Sequence, residues 1–178
     1  NFEGRNILHV PLDPPVPPGG ENVSREQART RLEPLRRKLL ARREKRVRPG
    51  KDDKVLVSWN ALMIHAMARG SAILQRDDWL DSAARAARFI QQSMRREDGR
   101  LLHTWRLGEA KLDAYLDDYA HLINALVSLY EASFDERWID WAVDLAEPVL
   151  EHFSDAAAGG FFYTADDHET LIARTKDM

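Results

Sequence analysis

The chain has 178 residues, enough for one domain with a substantial core, and its 44% hydrophobic and 31% charged residues are ordinary globular composition. A formal net charge of −3 points neither to nucleic acid nor to a membrane surface, and neither is expected as a partner. Cysteine is absent, which excludes a disulfide framework, a thiolate metal site and a CxxC redox motif, and no apolar run approaches the roughly 18 residues of a spanning helix.

The first residues, Asn1-Phe2-Glu3-Gly4, lack the basic and apolar regions of a signal peptide, so the expected location is cytoplasmic. Both ends read as interruptions of something longer. Residues 11–20, PLDPPVPPGG, hold five prolines and two glycines, and residues 1–23 are read as an extended connector. A first helix is predicted from Ser24, with Gln27 in capping-box spacing, to about Arg43. The basic run Arg36–Arg48 has no interleaved aromatics and is broken by Glu44, so it reads as a solvated helix face.

Residues 53–74 are apolar on nearly all sides, the mark of a buried helix. Residues 78–95 are amphipathic, with Asp81, Arg85, Arg88 and Gln92 opposite Trp79, Ala83, Ala86, Ala87 and Ile90. Two short extended runs, Leu101–Arg106 and Ala110–Tyr115, flank Gly108 as a β-hairpin. The pattern then returns. Residues 116–134 are again apolar, and residues 137–153 carry Asp140, Asp144, Glu147 and Glu151, each 59 positions after its counterpart in the first stripe. Pro148 is expected to bend this helix. A second hairpin is expected over 159–164 and 169–174, turning near Asp166-Asp167.

Residues 24–178 therefore read as repeats, with units at approximately 53–115 and 116–174. Each pairs a buried inner helix with a half-exposed outer one. Such layers close into an α/α toroid or continue as a solenoid. Two hairpins and a leading helix make only an arc, so self-association through its open edges is expected.

The runs DDKVLVSWNALMI (Asp52–Ile64), LDDYAHLI (Leu116–Ile123) and GGFFYT (Gly159–Thr164) resemble the YyaL-like family, which includes the spermatogenesis-associated thioredoxin-like proteins. NFEGRNILHVP at the start, FDERW (Phe134–Trp138) and the closing RTKD resemble it in the same order. The resemblance implies a thioredoxin-like domain followed by a six-hairpin glycosidase-like domain. The fold class expected here is thus all-α: helical-hairpin repeats forming a partial (α/α)6 toroid, with short β-hairpins between repeats. It implies an ill-defined activity, carbohydrate-active in the intact protein as a hydrolase or epimerase, with the fragment alone inactive. The alternative is a non-catalytic binding or scaffolding toroid working beside the thioredoxin-like domain, whose cysteines this chain lacks.

In a toroid the inner helices aim their ends at a shared cavity. The inner helix starts carry Asp53, Lys54, Trp59 and Asn60 in one unit and Asp117, Asp118 and Tyr119 in the next. The repeat places Trp59 level with Asp118, and Asn60 level with Tyr119. Carboxylates, an amide and aromatic faces around one concavity suit a carbohydrate ligand. Asp118 and Asp117 are therefore the catalytic candidates, and Trp59, Asn60, Tyr119, Asp53 and Lys54 the substrate-binding ones. Adjacent helical residues point about 100° apart, so Asp117 and Asp118 are not by themselves the paired carboxyls of a glycosidase. The opposing reading makes the aspartates helix caps and the aromatics cavity wall. His103, Trp105 and Tyr115 lie on the first hairpin, where a loop covers a cavity mouth. His65, His103 and His121 have no ligand spacing, so neither a metal nor a cofactor is expected.

Overall fold

A computed structural model describes residues 24–169 and 171–176. The expected connector over 1–23 lies outside the described residues. The chain divides into two compact units, Asn1–Lys51 and Asp52–Met178.

In the first unit, α1 runs from Arg25 to Arg43. Ser24 Oγ accepts from the Gln27 amide at 3.2 Å, and Gln27 Oε1 accepts from the Ser24 amide at 3.0 Å, the reciprocal cap read from the sequence.

The second unit opens with β1 (Val55–Leu56), followed by α2 (Val57–Leu74), α3 (Asp77–Ser93), β2 (Leu102–Arg106), β3 (Glu109–Asp113), α4 (Leu116–Ser133) and α5 (Arg137–His152). The first inner helix thus starts later than the expected 53. Val55 and Leu56 pair instead with Trp105 and Thr104, giving an antiparallel sheet in the order β1-β2-β3. Leu107 and Gly108 both have positive φ, the geometry of a two-residue turn whose twist matches the strands, and glycine supplies half of it without strain. Among the described residues, no helix is long and apolar enough to cross a membrane.

The repeat is physical as well as statistical. Both inner helices end on a left-handed non-glycine residue, Gln75 and Phe134, 59 positions apart. Each is followed by a bidentate ion pair with its signs exchanged, Arg76 with Asp78 and Asp135 with Arg137. The outer polar stripes of α3 and α5 are exposed throughout. Ala61, Ala68, Ala83, Ala87 and Ala125 let the helices approach, and Ile64, Ile90, Leu122, Leu126, Leu129, Trp141 and Leu145 fill the core between them. Gly70 belongs here too: a Cβ would stand 3.0 Å from the Trp79 ring. α5 runs through Pro148 to His152.

The second hairpin starts as the first does and then departs. Leu102 donates to Met94 O, and Phe162 likewise donates to Phe153 O. Leu116 donates to Tyr163 O, repeating the pairing of β1 with β2 at the entry to the inner helix. Among the described residues the two expected runs are then joined by the bond from Tyr163 N–H to Thr175 O at 2.8 Å, Ser154 and Phe161 form an isolated bridge, and no strand is built there. The reason is local. Arg174 turns its guanidinium onto the carbonyls of Thr164 and His152 and lies 4.3 Å from the Phe162 ring centroid, holding the segment by its side chain instead of by a ladder.

Candidate functional site

The start of α4 gathers the site. Tyr115 enters in extended geometry, and Asp118, three residues on, folds back so that Oδ2 accepts from the Tyr115 amide at 3.0 Å. The same oxygen accepts from His103 Nδ1 at 2.7 Å, while Oδ1 accepts from the Ser58 amide at 2.9 Å. One carboxylate therefore ties α4 to β2 and to the first turn of α2. That turn has no side-chain cap of its own, since Leu56 precedes it. Asp118 is 0% exposed. Burial pushes its pKa up, against the lowering effect of the Tyr115 amide and His103.

The backbone donors on both oxygens keep Asp118 an acceptor, so His103 donates from Nδ1 and its remaining nitrogen, Nε2, is the one left for chemistry. The His103 side chain is 19% exposed and meets Tyr115 edge to face, with centroids 5.0 Å apart. Tyr115 stacks on Tyr163 at 5.1 Å with 7° between the planes, and His168 tilts against Tyr115 at 5.6 Å. Tyr163 donates its hydroxyl to Asp117 Oδ1 at 3.3 Å. Its pKa is pushed up to about 12, by burial first and by the Asp117 charge second. Asp117 is half-buried and also accepts from the Asp118 amide.

The other sequence candidates lie elsewhere. Tyr119 faces the core, 1% exposed, where its hydroxyl accepts from the Leu101 amide at 3.0 Å and its ring meets Phe153. Trp59 stands 71% exposed on the first turn of α2, next to the Ser58 that Asp118 holds. Asn60 donates to Leu56 O at 2.8 Å and closes its own helix start. Asp53 pairs with Arg106 at 2.5 Å, and Lys54 pairs with Asp52 at 3.3 Å, both on the exposed approach to β1.

Sequence reasoning did not single out Tyr163 and His168, and gave His103 and Tyr115 only a loop role. The detectable signal was the repeat, which brings the second glycine-led segment onto α4 as β2 lies on β1. A Ser–His pair is also present, His65 Nδ1 with Ser128 Oγ at 2.8 Å. Ser128 donates its proton to Asn124 O, so it accepts from His65 and is not an activated nucleophile. His152, Asp166 and Asp167 also bring metal-ligating atoms within 4.8 Å of one another. Their charge is already answered: Arg100 grips Asp167 at 2.5 and 2.8 Å, holding that carboxyl at about 2, and His152 meets Asp166 at 2.9 Å.

No family model matches the chain. Spermatogenesis-associated protein 20 of Homo sapiens is 31% identical over 99% of the chain and 24% of that relative. The chain is a homologue of part of that protein. It spans about a quarter of the length of the curated relatives it matches. Among solved structures, D-mannose isomerase superposes with a TM-score of 0.59 at 16% identity, over 68% of this chain and 33% of that one. Cellobiose 2-epimerase from Bacillus thermoamylovorans gives 0.56 at 19%, over 60% and 31%. The shared feature is the glycosidase-like α/α toroid fold.

Proposed function

We propose that this segment belongs to a carbohydrate-active toroid in which His103, held by Asp118, moves a proton on a sugar bound against Tyr115 and Tyr163. The observation that carries the reading is the buried Asp118 carboxylate on His103 Nδ1. A carboxylate there fixes the ring's tautomer and orientation and favours the imidazolium that forms when Nε2 takes a proton. Asp118 itself has no exposed surface, so its part is positioning. Asp117 and the Tyr163 hydroxyl offer an acceptor and a donor for sugar hydroxyls, and Trp59 offers an exposed ring face.

The reaction class favoured is proton transfer at the carbon beside a sugar carbonyl, the step that epimerisation at C2 or aldose isomerisation requires. An imidazole base suits that step, and the paired carboxyls of hydrolysis are not at hand, because Asp117 and Asp118 are neighbours and Asp118 is enclosed. The scaffolding alternative draws on one observation: both Asp118 oxygens are occupied by partners within the fold.

The test is solvent deuterium exchange, followed by NMR, with mannose and cellobiose and the longer protein of which such a segment forms part. Exchange at C2 that is lost in His103→Gln and falls at least 10-fold with a shifted pH profile in Asp118→Asn supports the reading. Sugar binding without exchange in the wild type would favour the scaffold. The absence of both binding and exchange would overturn the carbohydrate assignment.

A further inference from the structure

Among the described residues, four other than glycine take positive φ. Gln75 and Phe134 end α2 and α4, where a left-handed residue closes a helix, and Leu107 sits in the turn between β2 and β3. Leu112 is different. It lies inside β3 with a φ of 64°, and the register continues on both sides of it, Thr104 facing Lys111 and Leu102 facing Asp113. No turn or helix end calls for a left-handed residue there, and a bulky side chain adopts that backbone only where its surroundings impose it.

The same register puts Leu112 across from His103. Alternation assigns both to one face of the sheet, with Leu101 and Trp105 flanking His103 and Ala110 and Ala114 flanking Leu112. All four flanking residues belong to the core or pack against it. Leu112 should therefore point inward with them, yet it is 61% exposed. An inward leucine would hold its Cβ about 4.5–5.5 Å from that of His103, beside a side chain that is 19% exposed.

We propose that Leu112 is a positioning residue of the site: its left-handed backbone turns the side chain out of the sheet's inner face and so keeps the His103 ring within reach of a ligand. The proposal rests on the reading of His103 as the proton-moving group, but the access it describes is measurable without a sugar. Glycine or asparagine takes a left-handed backbone at little cost, whereas a β-branched side chain resists it and favours the extended strand. Valine at this position therefore drives β3 back to regular alternation and brings a side chain beside His103.

The test is the rate at which diethyl pyrocarbonate modifies His103 in the longer protein at fixed pH, read by peptide mass spectrometry relative to His152. Leu112→Gly and Leu112→Asn should stay within about two-fold of the wild type, and Leu112→Val should slow His103 at least about five-fold. A role in stability alone would lower the melting temperature of Leu112→Val and leave that relative rate unchanged. Where Leu112→Val does not fold, the wild type carries the test by NMR with labelled leucine methyls, and no Overhauser contact between the Leu112 methyls and the His103 ring is expected. The proposal is overturned if wild-type His103 does not react, if Leu112→Val reacts as the wild type does, or if Leu112→Gly slows as much as Leu112→Val. A Leu112–His103 contact in the wild type overturns it equally. Passing this test in a protein that exchanges no sugar proton supports the open ring and overturns only the chemistry proposed for it.

Discussion

α2 and α4 are both 18-residue helices that start 59 positions apart, and their sequences are almost equally apolar. Yet α4 buries Leu122, Ala125, Leu126 and Leu129, while α2 leaves Trp59, Leu62, Met63 and Ile73 in solvent. The difference is one of neighbours. Within the second unit, α4 packs against α2, α3 and α5, whereas α2 packs against α3 and α4 alone among the helices. The helix starts differ in the same way. α4 is capped from within by Asp118, and α2 is capped by a carboxylate 60 residues later in the chain. An apolar helix is thus suited to burial, but the count of elements around it decides whether burial happens.

The sharpest way to break this comparison is to truncate matched positions. Leu122→Ala on α4 should cost about 2–5 kcal/mol, the range for a fully buried leucine, whereas Met63→Ala, its counterpart on α2, should stay within about 0.5 kcal/mol. Urea unfolding of the chain, at a concentration low enough to keep it monomeric, measures both. Equal losses would mean that α2's face is covered after all. Should a second copy cover that face in the chain by itself, light scattering at micromolar concentration would report a mass above 20.4 kDa, restored to the monomer by Met63→Asp.

The matched helix starts give a smaller effect. Asp118→Asn swaps one acceptor for a donor, leaving Ser58 N–H or Tyr115 N–H facing it without a partner in the core. The expected cost is about 1–3 kcal/mol, shown by a lower urea midpoint with unchanged slope. Trp59→Ala at the equivalent position of α2 should again stay within about 0.5 kcal/mol. A pair of equal small values would remove Asp118 as the staple between the helices.

The smallest effect concerns the segment that brings Tyr163 and His168 onto α4. Arg100 holds Asp167 at about 2, below its ordinary 3.8, so the folded state binds this proton more weakly than the unfolded chain does. That stabilisation is present above the unfolded value and is lost as pH falls from about 4 through 2. Because Asp167 is half exposed, screening limits it to under about 1 kcal/mol. Asp167→Asn should flatten this part of the stability profile, and an unchanged acid limb would show that the ion pair contributes nothing.

Much of the fold was legible in the sequence because helical period is a local property. The stripes Asp81–Gln92 and Asp140–Glu151 mark the solvent faces of α3 and α5, Ser24 with Gln27 marks the start of α1, and Gly108 marks the turn of the hairpin. The 59-residue offset announces the layering before any contact is known. Tertiary structure alone decided the rest. A period shows which residues share a face, not what that face meets, so the exposed side of α2 and the enclosed side of α4 look alike on paper. Asp118 reads as a helix-start carboxylate, but only the placement of β2 and α2 around it brings His103 and the Ser58 amide to its oxygens. Tyr119, one residue further on, turns about 100° away and faces Leu101 in the core, while Tyr163 arrives at the site from a segment more than forty residues distant.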